Sequence, residues 1–129
     1  MISSYSIALS GLNASSTRLG VAANNIANAQ TTGAADNPSS AYQPQEVVQQ
    51  SAGESGGVTV SIRNTDPATI PAYVPTDANA NADRLVALPN VSLENEMVTM
   101  ITAKASYKAN LSVIQTQSDM DKALLDIKA

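Results

Sequence analysis

"ISSYSIALSGLNASSTRLGVAANNIAN", residues 2–28, decides the fold. Ile2, Leu9, Ser16 and Ala23 fall seven apart, and Tyr5, Leu12, Leu19 and Ile26 interleave at the alternating spacing of three and four. Six of those eight positions carry a sizeable apolar group, which puts one apolar stripe along an α-helix. Ser3 or Ser4 offers an N-cap oxygen, and a helix over 4–28 would be roughly 38 Å long. Its other face is Ser, Asn and Thr with Arg18 as the single charge, unlike an ordinary solvated surface. Asn24, Asn25 and Asn28 crowd its end, although asparagine competes for nearby backbone groups and forms helices poorly. On the residues alone the plain reading is a frayed helix end before a loop.

The other end of the chain gives a second helix. Beyond Pro89, Ser92 is a good N-cap, and Glu94 and Glu96 place negative charge where the helix dipole favours it. Leu93, Met97, Met100, Tyr107, Leu111 and Ile114 form the stripe, interrupted by Lys104. The apolar set then drifts to Val113, Met120, Leu124 and Ile127, as a straight helix departs from a strict heptad. Lys122 and Lys128 suit the closing turns. From Ser92 to about Ile127 this helix would span ~53 Å.

Between the helices the pattern changes. "QTTGAADNPSSAYQPQ" is rich in turn residues. "EVVQQ" (46–50) and "GVTVSIR" (57–63) read as short strands joined through Gly53, Gly56 and Gly57. "DPATIPAYVPTD", with Pro67, Pro71 and Pro75, reads as extended and edge-like, and "DRLVALP" as a further short strand. The expected fold is therefore mainly α: two long terminal helices pairing as a coiled-coil-like hairpin, with a small β-rich or extended insert. The expected segments are 1–29, 30–90 and 91–129, with the two helices forming one structural unit.

Composition says what such a chain lacks. Hydrophobic residues make up 43% of the 129, yet there is no Trp or Phe and only four Tyr. Burial free energy scales with apolar area, so a core built this way is thin and the chain is expected to complete its burial against other chains. The net charge of −4 comes with no basic cluster, which argues against nucleic acid or anionic lipid as a partner. With no His and no Cys there is no thiolate or imidazole chemistry, and no phosphate loop or nucleophile elbow occurs. The carboxylates Asp77, Asp83, Asp119, Asp121 and Asp126 lack the loop spacing of a calcium site. No enzyme, metal or cofactor is expected. The N-terminus has no signal-peptide core and no stretch is long and apolar enough for a membrane span, so export, if any, is expected without a cleaved signal.

"ALSGLNASSTRLGVAANNIANAQTTG" (8–33) resembles the N-terminal motif of the bacterial flagellar axial proteins, the rod, hook and hook-associated subunits. "LPNVSLENEMVTMITAKASYKANLSVIQT" (88–116) is similar to their C-terminal motif, and "AYQPQEVV" (41–48) with "TDPATIPAYVPTDANANADRLVALPNV" (65–91) is similar to the proximal-rod subfamily. The resemblance implies a basal-body rod subunit that crosses the periplasm after export through the flagellar type III apparatus. It also implies a helical tube of homo- and hetero-oligomeric contacts, with copies of itself and other rod subunits as partners. The assembly interface would comprise Leu9, Leu12, Leu19 and Ile26 with Met97, Met100, Tyr107, Leu111 and Ile114. In a tube of packed helices, Asn24, Asn25, Asn28 and Asn110 would bridge neighbours or cap helix ends. Met97 and Met100 read as core packing rather than as ligands, and Tyr107 as a subunit-contact anchor or an ordinary seam residue. The alternative is a soluble helical-hairpin adaptor or scaffold tied to flagellar export but outside the rod.

Overall fold

Helix α1 runs Ser4–Asn28 and helix α2 runs Leu93–Lys128. The computed structural model describes residues 4–128; Ile2 and Ser3, and the side chains of Ile127 and Lys128, lie outside the described residues. Ser92 caps α2, its Oγ accepting from Asn95 N at 3.4 Å, as its place before the helix predicts.

The two helices pack against each other antiparallel, with Asn25 beside Glu96 and Gly11 beside Asn110. The buried line on α1 is Ala8, Leu12, Ser15, Ala22 and Asn25; among the described side chains of α2 only Ala103 is fully buried, with Glu96, Thr99, Met100, Ser106, Asn110, Ile114 and Gln117 half-buried. Both lines lie about one position from the predicted stripes. Among the described residues of the α1 stripe only Leu12 is buried, while Tyr5, Leu9 and Leu19 are exposed. On α2, Leu93, Met97, Tyr107 and Leu111 are exposed too. The reason is steric. Small residues on the α1 line, with Ala103 and Ser106 on α2, leave room for the helices to approach, most closely where Gly11 meets Asn110. The large side chains are displaced to the flanks.

The expectation of a mainly α hairpin with a small insert is wrong. Helix, the short 3-10 turns included, takes about 53% of the described residues and strand 21%, and the segment between the helices forms five strands. Strands β2 (Gln45–Ser51) and β3 (Val58–Asn64) make an antiparallel hairpin, Gln45 opposite Asn64 and Ser51 opposite Val58. Strands β1 (Gly33–Ala34), β4 (Thr69–Tyr73) and β5 (Leu85–Pro89) form a second antiparallel sheet in the order β1-β5-β4. The proline-rich stretch pairs after all, because Pro71 sits in the edge strand β4, where a missing N–H is tolerated. Central β5 carries Val86, fully buried at 0% exposure, and Ala87.

Both strands of the hairpin also pack against α1. Val58 N donates to Ser10 Oγ at 3.1 Å, and Ser10 Oγ donates to Ile7 O at 2.7 Å. Gly57, at φ 86°, lets the hairpin come this close: a Cβ there would stand 2.5 Å from Ser10 Oγ. Helix α1 thus has both α2 and the hairpin as neighbours, and Ala14 and Val21 are buried as well as its α2-facing line. Among the described residues six of the nine buried hydrophobic ones are alanines, so the interior is shallow.

Loops are tethered by asparagines. Asn79 Nδ2 donates to Thr32 Oγ1 at 2.9 Å and Asn81 Nδ2 to Asp36 Oδ1 at 3.2 Å, holding the β4–β5 loop on the segment after α1. Asn90 Nδ2 donates to Pro67 O at 2.9 Å just ahead of α2. Gly33 is a close-approach position, where a Cβ would meet Ala41 N at 2.4 Å.

Candidate functional site

Asn25 answers for one of the three asparagines at the end of α1. It is 1% exposed and fully partnered. Its Nδ2 donates to Gln45 O and to Glu96 Oε1, both at 2.7 Å, and its Oδ1 accepts from Gln45 N at 3.1 Å and Tyr42 OH at 3.0 Å. A carboxamide offers two donor hydrogens and two acceptor lone pairs, and all four are used. One side chain therefore ties α1, the entry to β2 and the first turn of α2 together. Burial raises the Tyr42 phenol above its ordinary value, and the Glu96 carboxylate raises it further.

The other two asparagines act locally. Asn28 Nδ2 donates to Asn24 O at 2.9 Å, and Asn28 O accepts from Thr31 N and Thr31 Oγ1, which closes the helix end. Asn24 is exposed. Asn110, half-buried against Gly11, donates to Ser106 O at 2.9 Å.

The remaining residues expected at an interface divide by exposure. Leu12 is buried within the chain; Ile26, Met100 and Ile114 are half-buried; Leu9, Leu19, Met97, Tyr107 and Leu111 are exposed. Leu19, Met100, Tyr107 and Leu111 come together, lining a groove of about 780 Å³ between α1 and α2. Ile101 lines it too, 69% exposed. With Val98 and Leu125 it belongs to neither predicted stripe. Tyr42 and Gln45, distant in sequence from Asn25, carried no signal of their own. Glu96, read from its position as a dipole partner, is also the carboxylate that Asn25 reaches.

A second groove, of about 540 Å³, runs between the helices and the start of β2 and is polar, with Arg18, Glu46, Asn95 and Glu96 among its lining. Among the described residues no cluster of His, Cys, Asp or Glu could hold a metal ion, and no helix is long and apolar enough to cross a membrane.

What the surface offers is packing. A 129-residue chain with a shallow alanine core leaves Tyr5, Leu9, Leu19, Met97, Val98 and Ile101 in solvent, along with further large apolar groups. Exposed apolar area on that scale marks a surface that other chains cover. The geometry defines an assembly subunit.

Comparison with known proteins gives the family. Residues 6–34 match the family described as flagella basal body rod protein, and residues 85–127 match the C-terminal family of flagellar basal body rod FlgEFG proteins. The chain is 38% identical over 126 residues to the flagellar basal-body rod protein FlgC of Yersinia enterocolitica, covering 93% of this chain and 92% of that one. It is 35% identical over 127 residues to FlgC of Agrobacterium fabrum, with 94% and 90% covered. To FlgC of Bacillus subtilis it is 32% identical over 143 residues, with 96% and 95% covered. The chain belongs to the FlgC family of flagellar basal-body rod proteins, and its role is a structural one, as a rod subunit of the basal body. The resemblance read from residues 8–33 and 88–116 is thereby borne out.

Proposed function

We propose that this chain is a proximal-rod subunit whose two terminal helices act as one unit, packing side by side with copies of itself and with other rod subunits into a helical tube. The observation that carries the reading is the displacement of large apolar side chains to the outer flanks of a close-packed helix pair. A two-helix unit has no second layer to bury Leu9, Leu19, Met97, Tyr107 and Leu111, and neighbouring subunits supply it. Leu12 and Asn25 serve the same interface from inside, by fixing the helix pair and its angle to the β-hairpin. Ile26, Met100 and Ile114, half-buried, would complete their burial there, and Asn24, Asn28 and Asn110 keep amide groups near helix surfaces that neighbours approach.

The subunit is exported through the flagellar type III apparatus without a cleaved signal, and it crosses the periplasm as part of the rod. Torque passes through many lateral helix contacts, so its role involves no enzymatic step. The test is fractionation. A tag at Ser55, an exposed position in the turn joining β2 and β3, is followed through purified basal bodies. Recovery after detergent and alkaline washing supports the reading. A wholly soluble chain in a strain that builds complete flagella refutes it in favour of an export-linked adaptor.

A further inference from the structure

The β2–β3 hairpin carries a hydrogen-bond ladder that is only partly filled on its outer side. Thr65 N donates to Pro44 O at 2.8 Å and Ala52 N to Gly57 O at 3.1 Å. In this register the even-numbered residues of β2 bond to β3, and Gln45, Val47 and Gln49 turn their backbone groups the other way. At Gln45 that outer side is taken. Asn25 Oδ1 accepts from its N–H and Asn25 Nδ2 donates to its C=O, so one carboxamide stands where the peptide group of a neighbouring strand would. At the next two rungs, Val47 and Gln49, nothing among the described residues takes the outward N–H or C=O.

The open rungs border the polar groove, whose lining includes Val47 of β2, Arg18 and Val21 of α1, and Val98 of α2. The hairpin runs back along α1, with Gln45 at Asn25 and Val58 at Ser10. Arg18 lies ~10 Å before Asn25 on the helix, and ~10 Å along β2 from Gln45 falls between Val47 and Gln49. Arg18 is half-buried, yet among the described residues it meets no carboxylate, the ion pairs being Arg63 with Glu46 and Lys122 with Asp119. The carboxylates of the groove are engaged, Glu46 by Arg63 and Glu96 by Asn25. Val98 in the same groove is 61% exposed.

We infer that the outer edge of β2 receives an extended segment of another protein as an added antiparallel strand, with an acidic residue set against Arg18. Incoming residues opposite Val47 and Gln49 close four backbone hydrogen bonds. Side chains opposite one another share a face, so an acid opposite either residue lands on the Arg18 side, and small apolar residues flank it over Val21 and Val98. The other open edges of this chain do not suit the role. β3 is held against α1 at Val58 by Ser10. In β4 the bonds from Asn90 N to Ala68 O and from Val74 N to Arg84 O turn Pro71 outward, where it has no N–H to give.

The probe is a fluorescein-labelled peptide, Thr-Val-Thr-Glu-Thr-Val-Thr with blocked ends, which shows two valines and one carboxylate on one face. Titrated with the full-length chain and read by anisotropy, it is expected to bind saturably with a Kd of about 10–100 µM. Lysine in place of its glutamate is expected to weaken binding about tenfold. Arg18→Glu in the chain does the same to the glutamate peptide and restores the lysine one. Val47→Pro removes an outward donor and no bond to β3, so it is expected to abolish binding. Gln49→Pro is the second variant, and circular dichroism shows which of the two keeps the fold. No saturable binding, or binding indifferent to the proline and Arg18 changes, overturns the inference. Dimers in sedimentation that Val47→Pro dissolves, with no peptide bound, overturn it in favour of β2 pairing with β2 of a second copy. The edge belongs to the hairpin and not to the helix flanks on which the rod reading rests, so the fate of the Ser55 tag leaves this inference untouched.

Discussion

Asn25 on α1 donates a 2.7 Å hydrogen bond to Glu96 on α2, joining residues 71 positions apart. Its amide also holds both backbone groups of Gln45 and the hydroxyl of Tyr42. Replacing it with alanine strips partners from four polar groups at a site closed to water. Asn25→Ala is expected to cost about 3 kcal/mol, the penalty for leaving buried polar groups unpaired. Asn25→Asp keeps the acceptors but sets a carboxylate against Glu96 and Gln45 O. It should be at least as damaging near neutral pH and partly relieved in acid. Urea denaturation of the purified variants measures both; a loss under about 0.5 kcal/mol for alanine would show that water replaces the amide.

Gly11 makes a different prediction, because its value lies in a missing atom. A Cβ there would stand 2.6 Å from Asn110 Oδ1 and 2.8 Å from its Cγ. Alanine ordinarily improves a helix by ~1 kcal/mol over glycine. Here overpacking at a close crossing, typically ~1–3 kcal/mol, is expected to outweigh that gain. Gly11→Ala should therefore lower stability by about 1 kcal/mol, and adding Asn110→Ala should recover most of it. A double-mutant cycle reads the coupling directly. Gly11→Ala more stable than the parent would mean that Asn110 swings away freely.

These two sites also mark the boundary of what the sequence disclosed. Both helices were legible because a 3.6-residue period, Ser92 as a cap and Pro89 ahead of it are local signals. Which line of each helix faces the other was not. Pattern reading follows the largest apolar residues, whereas Ala8, Gly11, Ser15 and Ala103 face the partner because they are small. The second sheet was missed for a related reason. β1 is only two residues long and reads as part of a turn, and the stretch around Pro71 reads as extended and edge-like without a partner; only β5, pairing with both, makes them a sheet. The Asn25 cluster draws on Tyr42, Gln45 and Glu96, whose juxtaposition exists only after folding. The family motifs were legible at both ends, since they record assembly and not only the isolated chain.

Tyr42 gives the fold an alkaline limit. Burial first, and the Glu96 carboxylate second, raise its pKa above the ordinary value. A phenol that holds its proton longer folded than unfolded contributes stability that is fully present below pH ~10. That stability is lost as pH rises through the folded-state value. Stability measured from pH 8 to 11 should fall, and Tyr42→Phe should flatten that fall. The same variant should lose about 1 kcal/mol at pH 7, where the bond to Asn25 is gone. An unchanged alkaline slope in Tyr42→Phe would assign the loss to other groups.

Leu19 separates folding from assembly. It is 41% exposed, on the groove with Tyr107 and Leu111, so Leu19→Asp removes little that the isolated chain has buried. Its folding stability should change by no more than about 0.5 kcal/mol, the usual range for a surface position. In the rod the same carboxylate would be enclosed by neighbouring helices without a partner, a much larger penalty repeated at every copy. Leu19→Asp is expected to abolish rod incorporation and swimming, while a substitution at exposed Ser55 leaves both intact. Leu12→Asp provides the contrast: Leu12 is buried between the helices, so that variant should fail earlier, as an unfolded chain. Circular dichroism of the purified variants and motility of the strains distinguish the two failures. Normal swimming by the Leu19→Asp strain would remove this face of the helix pair from the subunit interface.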